Sequence, residues 1–209
     1  MVKMASLPIE ADPSSDSSVI ENHRLLEQKR ALRQQFHAAR QSLLIQPTER
    51  THAHARIQDH LRKLVGSGLW AAYLPMADEV DLTLLTAPDG QRWAYPVLYG
   101  ESLQFFIPQT PTDLAPNRFG ILEPRPLQAQ FVALSELNGV LVPGVAFDRY
   151  GTRLGMGRGF YDRALQAYQG LKIGVAYTTQ VSQERLPRDP HDIRMTHLVT
   201  PEGLQACVI

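Results

Sequence analysis

The chain is 209 residues long, 44% apolar and 20% charged, proportions ordinary for a soluble globular protein able to bury one core. Its 21 basic residues balance 21 acidic ones, so no overall field favours nucleic acid or an acidic membrane surface. The one cysteine, Cys207, excludes an internal disulfide, no apolar run is long enough to span a bilayer, and no basic region leads into an apolar run at the N-terminus; a cytoplasmic protein is expected.

Residues 1–21 hold two prolines, five serines and no clustered apolar residues, so they read as a disordered tail before a single domain spanning 22–209. A helix is predicted from Asn22 to Leu44, because Leu25, Leu32, Phe36, Ala39 and Leu43 fall on one face. Lys29, Arg33, His37 and Arg40 form a second stripe beside that face. Taken alone, the stripe reads as a solvated basic surface, although such side chains can bury their stems and direct their charges into a cleft. A second helix fits Thr48 to Val65, ended by Gly66 and Gly68. LWAAYLP reads as a buried strand, ADEVDLTLL as a turn into a short helix, and RWAYPVLY and SLQFFIP as strands. A proline-rich loop, QTPTDLAPNRFGILEPRP, follows. NGVLVPGVAF reads as a buried strand, FYDRALQAY as a helix, and KIGVAY and MTHLVT as the last two strands. Strands alternating with helices, rich in β-branched residues and hardly alternating in polarity, predict an α/β fold: a three-layer α/β/α sandwich around a mostly parallel, Rossmann-like sheet. Ligands in such folds lie at the carboxyl ends of the strands.

The stretch RLGMGRGFYD, residues 153–162, has poor packing value, since Gly155, Gly157 and Gly159 bury no side chain. A tight turn, a close backbone approach or a ligand must account for it. Glycine N–H groups ahead of a helix suit an anion, and Arg153 and Arg158 can bond the same oxygens. Asp162 offers a carboxylate of the kind Mg²⁺ takes while it also holds phosphates. The run fits neither the Walker A spacing nor that of the dinucleotide fold. A phosphate or Mg²⁺–nucleotide site is therefore expected, with the reaction left open.

The longer stretch LVPGVAFDRYGTRLGMGRGFYDRAL closely resembles the signature of the 5-formyltetrahydrofolate cyclo-ligase family, approximately V-P-G-x-x-F-D-x-x-G-x-R-L-G-x-G-x-G-Y-Y-D. KRALR at 29–33, YLPMADEVD at 73–81, FGILEP at 119–124, IGVAYTTQ at 173–180, LPRDPHD and LVTPEG match further family segments in order. The resemblance implies conversion of 5-formyltetrahydrofolate and ATP, with Mg²⁺, into 5,10-methenyltetrahydrofolate, ADP and phosphate. It implies a nucleotide-binding segment at Lys29, Arg30 and Arg33, and a phosphate-gripping loop of Arg153, Leu154, Gly155, Met156, Gly157, Arg158, Gly159, Phe160 and Tyr161. Arg153, Arg158 and Tyr161 are the implied catalytic residues, and Asp162 and Asp192 the implied metal ligands. Leu74, Glu79, Met156 and Phe160 are the implied folate contacts. A small-molecule substrate, no nucleic acid, no membrane and a monomer are expected.

Met156, Arg158 and Phe160 depart from the family's usual residues, and Thr196 replaces an acid. Two other readings stay in view: a sugar-phosphate isomerase or coenzyme A transferase of similar architecture, and a folate- or nucleotide-binding protein without turnover. His52, His54 and His60 read as surface residues, Trp70 and Trp93 as packing, and Cys207 as no nucleophile. Phe106 and Phe119 are candidates to line a folate pocket.

Overall fold

The computed structural model describes residues 13–82, 85 and 91–208. Helix α1 runs from Pro13 to Gln41 and continues as a 3₁₀ turn, Ser42–Ile45. The expected tail is thus helical from Pro13 on, while residues 1–12 lie outside the described residues. Helix α2, Pro47–Leu64, starts on proline, whose missing N–H and fixed φ suit a first turn. Glu49 in its first turn and Arg62 and Lys63 in its last complement the helix dipole.

Strand β1 is Gly68–Ala71, β2 is Gln91–Tyr99 and β3 is Ser102–Pro108. The expected helix after ADEVD is absent from Val80–Leu82, and its remainder falls largely outside the described residues. The proline-rich loop contains a small hairpin, β4 (Leu114–Pro116) and β5 (Leu122–Pro124), followed by β6, Ala129–Val132. NGVLVPGVAF does not run straight. It breaks at Pro143 and Gly144 into β7, Gly139–Val142, and β8, Ala146–Asp148, which belong to different sheets. Strand β9, Arg153–Leu154, leads into the glycine loop, and α3 is only Phe160–Ala164, shorter than the helix expected there. Strands β10 (Leu171–Val175), β11 (Val181–Ser182), β12 (His197–Thr200) and β13 (Gly203–Ala206) complete the order.

The main sheet has the order β13-β12-β10-β7-β1-β2-β3-β6. Its five central strands, from β12 to β2, are parallel, and both flanks turn antiparallel. Period-two alternation divides the core between the two faces. Leu69, Ala71, Val140 and Val142 pack with Phe147, Leu165 and Tyr168. Trp70, Leu141, Ile173 and Val199 pack with Ile57 and Leu61 of α2 on the other face. Every residue of β7 is buried, which explains why its sequence shows no alternation. One outer layer holds α2; the other holds α3 beside the three-stranded sheet β11-β8-β9. The α/β class and mostly parallel sheet are as predicted. Among the described residues, no helix is long and apolar enough to cross a membrane.

Candidate active site

A cavity of about 610 Å³ opens beyond the carboxyl ends of β1 and β7, within the size range of small-molecule sites. One wall is polar, built from α1, the glycine loop and the segment around Asp192. The opposite wall comes from β2, β3 and the β4–β5 hairpin, and includes Pro96, Leu98, Leu103 and Phe119.

The sequence of α1 places Lys29, Phe36 and Arg40 on one buried stripe, so this face is mixed rather than apolar. The Lys29 ammonium pairs with Asp192 Oδ2, and Arg33 Nε donates 2.8 Å to the Gly155 carbonyl. Burial lowers Arg33 from its ordinary value, against the pull of the Asp192 carboxylate. Lys29 and Arg40 are thus not the solvated surface that the stripe alone suggests: Lys29 is 7% exposed and Arg40 only 1%. Arg30 is exposed and lies off the cavity.

In the glycine loop, Gly157 and Gly159 have φ of 93° and 67°, a region other residues seldom occupy. Gly159 caps α3. Gly155 gives room of a different kind: a Cβ there would lie 2.7 Å from an Arg153 guanidinium nitrogen. Arg153 is 8% exposed, donates 2.9 Å to Asp162 Oδ2 and 3.3 Å to the Pro143 carbonyl, and lies 5.5 Å from the centre of the Tyr161 ring. Its buried Nε has no hydrogen-bond partner among the described residues. Burial raises the Tyr161 phenol, with the Glu79 charge adding and Arg153 opposing, so the hydroxyl stays protonated.

Glu79 sits 8% exposed on a turn after β1, where its Oε2 accepts 3.0 Å from the Met76 N–H. Burial raises its carboxyl above the ordinary value, opposed by that N–H and by Arg40. Leu74, Met156, Arg158 and Phe160 also line the cavity, so every predicted site residue except Arg30 reaches one space. Phe119 lies 6.5 Å from Phe160 across the opening, whereas Phe106 packs edge-on against Phe131 and does not line the cavity. His54 is not a plain surface residue either. It stacks on Tyr177 and meets its hydroxyl, and burial lowers the imidazole. Burial, with the Asp148 carboxylate near, pushes the Cys207 thiol up to about 11, consistent with an unreactive cysteine.

Sequence reasoning missed Tyr73, Asn117, Glu123 and Asp189 among the lining residues. Tyr73, Glu123 and Asp189 fall inside matched segments and could have been taken with them. Asn117 lies outside them and reaches the cavity because the β4–β5 hairpin folds back, with Glu123 Oε2 accepting from the Leu98 N–H and the Asn117 amide at 3.1 Å each.

The sequence pattern of the 5-formyltetrahydrofolate cyclo-ligase family matches residues 26–201. This chain belongs to the 5-formyltetrahydrofolate cyclo-ligase family. It is 42% identical over 118 residues to the Escherichia coli (strain K12) 5-formyltetrahydrofolate cyclo-ligase, a stretch covering 54% of this chain and 64% of that protein, just under two thirds of its length. It is 34% identical over 141 residues to the cyclo-ligase of Mycolicibacterium smegmatis, covering 63% of this chain and 72% of that one. The solved structure of Aquifex aeolicus 5,10-methenyltetrahydrofolate synthetase superposes with a TM-score of 0.69 at 34% identity, over 83% of this chain and 93% of that one. The family match takes in the whole cavity wall from Leu26 to Asp192.

Among the described residues, no group of three or more His, Cys, Asp or Glu side chains could hold a metal ion unaided. Asp162 accepts from Arg153 and from the Ile193 N–H, whereas Asp192 accepts from Lys29 and the Asp189 N–H through Oδ2. That donor set fits a Mg²⁺ ion brought with phosphates, which takes one or two carboxylates and completes its shell with phosphate oxygens and water. It does not fit a resident ion held by protein alone.

Proposed function

We propose that the protein converts 5-formyltetrahydrofolate to 5,10-methenyltetrahydrofolate with hydrolysis of ATP to ADP and phosphate. The observation that carries this reading is the meeting, around one cavity, of the cationic Lys29, Arg33 and Arg153 with the buried Glu79 and the apolar hairpin wall. ATP is needed because an N-formyl group is an amide, with a C–N rotation barrier of roughly 18–20 kcal/mol reporting its resonance. Its carbon is a weak electrophile and its oxygen a poor leaving group. In the proposed reaction the formyl oxygen takes the γ-phosphoryl group and ADP leaves. Nitrogen 10 then attacks the formyl carbon, loses its proton, and closes the ring as phosphate departs.

Lys29, Arg33, Arg153 and Arg158 bind the triphosphate and counter the charge that moves onto the transferred phosphoryl oxygens. The loop N–H groups at 155–159 orient those oxygens, and the protonated Tyr161 hydroxyl donates to one of them. Glu79 accepts the pterin N–H donors, and Leu74, Met156 and Phe160 exclude water from the formyl group. Asp162 and Asp192 are the residues that would hold Mg²⁺, which supplies charge neutralisation when bound with the nucleotide. Phe160 lacks a hydroxyl that tyrosine would offer, which weakens substrate binding without altering the reaction.

The test mixes protein, 5-formyltetrahydrofolate and Mg-ATP and follows methenyl absorbance beside phosphate release. Equal yields of product and phosphate, only with ATP and Mg²⁺ present, are expected. Binding of both ligands with no turnover would overturn the reading in favour of a binding protein.

A further inference from the structure

Arg40 is 1% exposed, as buried as any charged residue in the described chain, and does not itself line the cavity. Its guanidinium reaches two separate segments, the turn at Asp78 and Glu79 and the break at Gly144. Nε lies 2.9 Å and a terminal nitrogen 2.7 Å from Asp78 Oδ2, another nitrogen lies 3.8 Å from Glu79 Oε1, and the same nitrogen lies 3.4 Å from the Gly144 carbonyl. Gly144 in turn lies under Arg153, since a Cβ on it would come within 3.2 Å of the Arg153 side chain.

We propose that Arg40 and Asp78 are positioning residues that set where the Glu79 carboxylate stands, relative to both the substrate and Arg153. The proposal rests on the reading of Glu79 as the acceptor of the pterin N–H groups. An arginine gripped twice by one carboxylate has little to offer a second, so Asp78 determines how much of the Arg40 charge reaches Glu79. Without Asp78, the guanidinium turns onto Glu79 and competes with the ligand for its oxygens. Without Arg40, Glu79 keeps its burial but loses its counter-cation, and becomes a neutral acid unable to accept two N–H groups.

Several other groups face Glu79. Tyr73 after β1 and Tyr161 from α3 present phenols that burial raises, with the Glu79 charge adding, and the Tyr177 hydroxyl donates 3.1 Å to the Glu79 carbonyl. His37 approaches Asp78 at 3.4 Å. Arg40 and Asp78 carry opposite charges that act on the Glu79 carboxyl in opposite senses, so their removal acts in opposite directions.

The experiment titrates the Glu79 carboxyl by NMR in ¹³C-glutamate-labelled protein, assigned through Glu79→Gln, beside steady-state kinetics of Asp78→Asn, Arg40→Lys and Arg40→Met. Asp78→Asn is expected to move the titration to lower pH and Arg40→Met to higher pH. Each should raise the folate KM about tenfold while the ATP KM stays within about twofold. Arg40→Lys, which keeps the charge without the fork, should fall between wild type and Arg40→Met. If Arg40→Met does not fold, Asp78→Asn and Arg40→Lys still decide. Titration shifts of the same sign, an unmoved Glu79 in Asp78→Asn, or equal losses for both substrates would overturn the proposal. A wild-type protein without turnover would sink the cyclo-ligase reading alone, since the titration decides the Arg40–Asp78 role independently.

Discussion

Burial raises the Glu79 carboxyl above its ordinary value of 4.5, against the Met76 N–H and Arg40. A carboxyl raised in the folded state stabilises the fold below its unfolded pKa, and that contribution is lost as pH rises through the folded value. Above its folded value the charged Glu79 therefore weakens the fold. Glu79→Gln is expected to raise Tm at pH 7, by about 2–4 °C for each kcal/mol recovered. The gain should vanish near pH 4, where wild-type Glu79 is protonated. The same variant is expected to raise the folate KM with ATP affinity unchanged. Thermal unfolding at both pH values, beside kinetics, checks it; a lower Tm at pH 7 would mean that the Arg40 contact outweighs burial.

At the scale of elements, β1 and β7 meet where Gly139 lies against the Trp70 ring, and a Cβ at 139 would stand 2.3 Å from it. Gly139→Ala must push the indole off its packing, at about 1–3 kcal/mol. A Tm fall of about 2–4 °C per kcal/mol is expected, with the KM values unchanged because neither residue lines the cavity. Legibility in the sequence follows element length and periodicity. The VLV run of β7 and the alternate glycines were readable because each carries a physical signature, continuous burial in one case and lost packing in the other. The strands β4, β5 and β6 were not, since segments of three or four residues are too short to show a period, and β4 and β5 end in proline. The helical reading of FYDRALQAY overshot because Leu165 and Tyr168 fit a helix face as well as they fit the turn they form, where the Tyr168 N–H bonds the Leu165 carbonyl. Arg40 was placed correctly on its stripe. Its burial could not be read there, because its partner Asp78 is 38 residues away.

Across the whole molecule, Lys29 and Asp192 join segments 163 residues apart. Both side chains are largely buried, at 9% and 21% exposure. Lys29→Met is expected to destabilise by about 1–3 kcal/mol, because Asp192 is left uncompensated. The double variant Lys29→Met/Asp192→Asn should lose less than the sum of the singles. Denaturant unfolding of the three variants checks this, and strict additivity would show that the pair is not coupled. Most site residues were recoverable from matched segments of the sequence. Their mutual distances were not, because pairing of this range depends on how the parallel sheet brings its carboxyl ends together.

That same pair has a consequence for the protein's birth. Lys29 leaves the ribosome 163 residues ahead of Asp192, so the clasp across the polar wall cannot close while the chain between them is being made. Contacts this far apart also form slowly once the chain is free. A nascent chain stalled before Asp192 emerges would display Arg33, Arg153 and the glycine loop without their closing partner, and would bind nucleotide poorly. Competence for the proposed reaction would thus wait for the segment that carries Asp192, in step with the insertion of β12 beside β10.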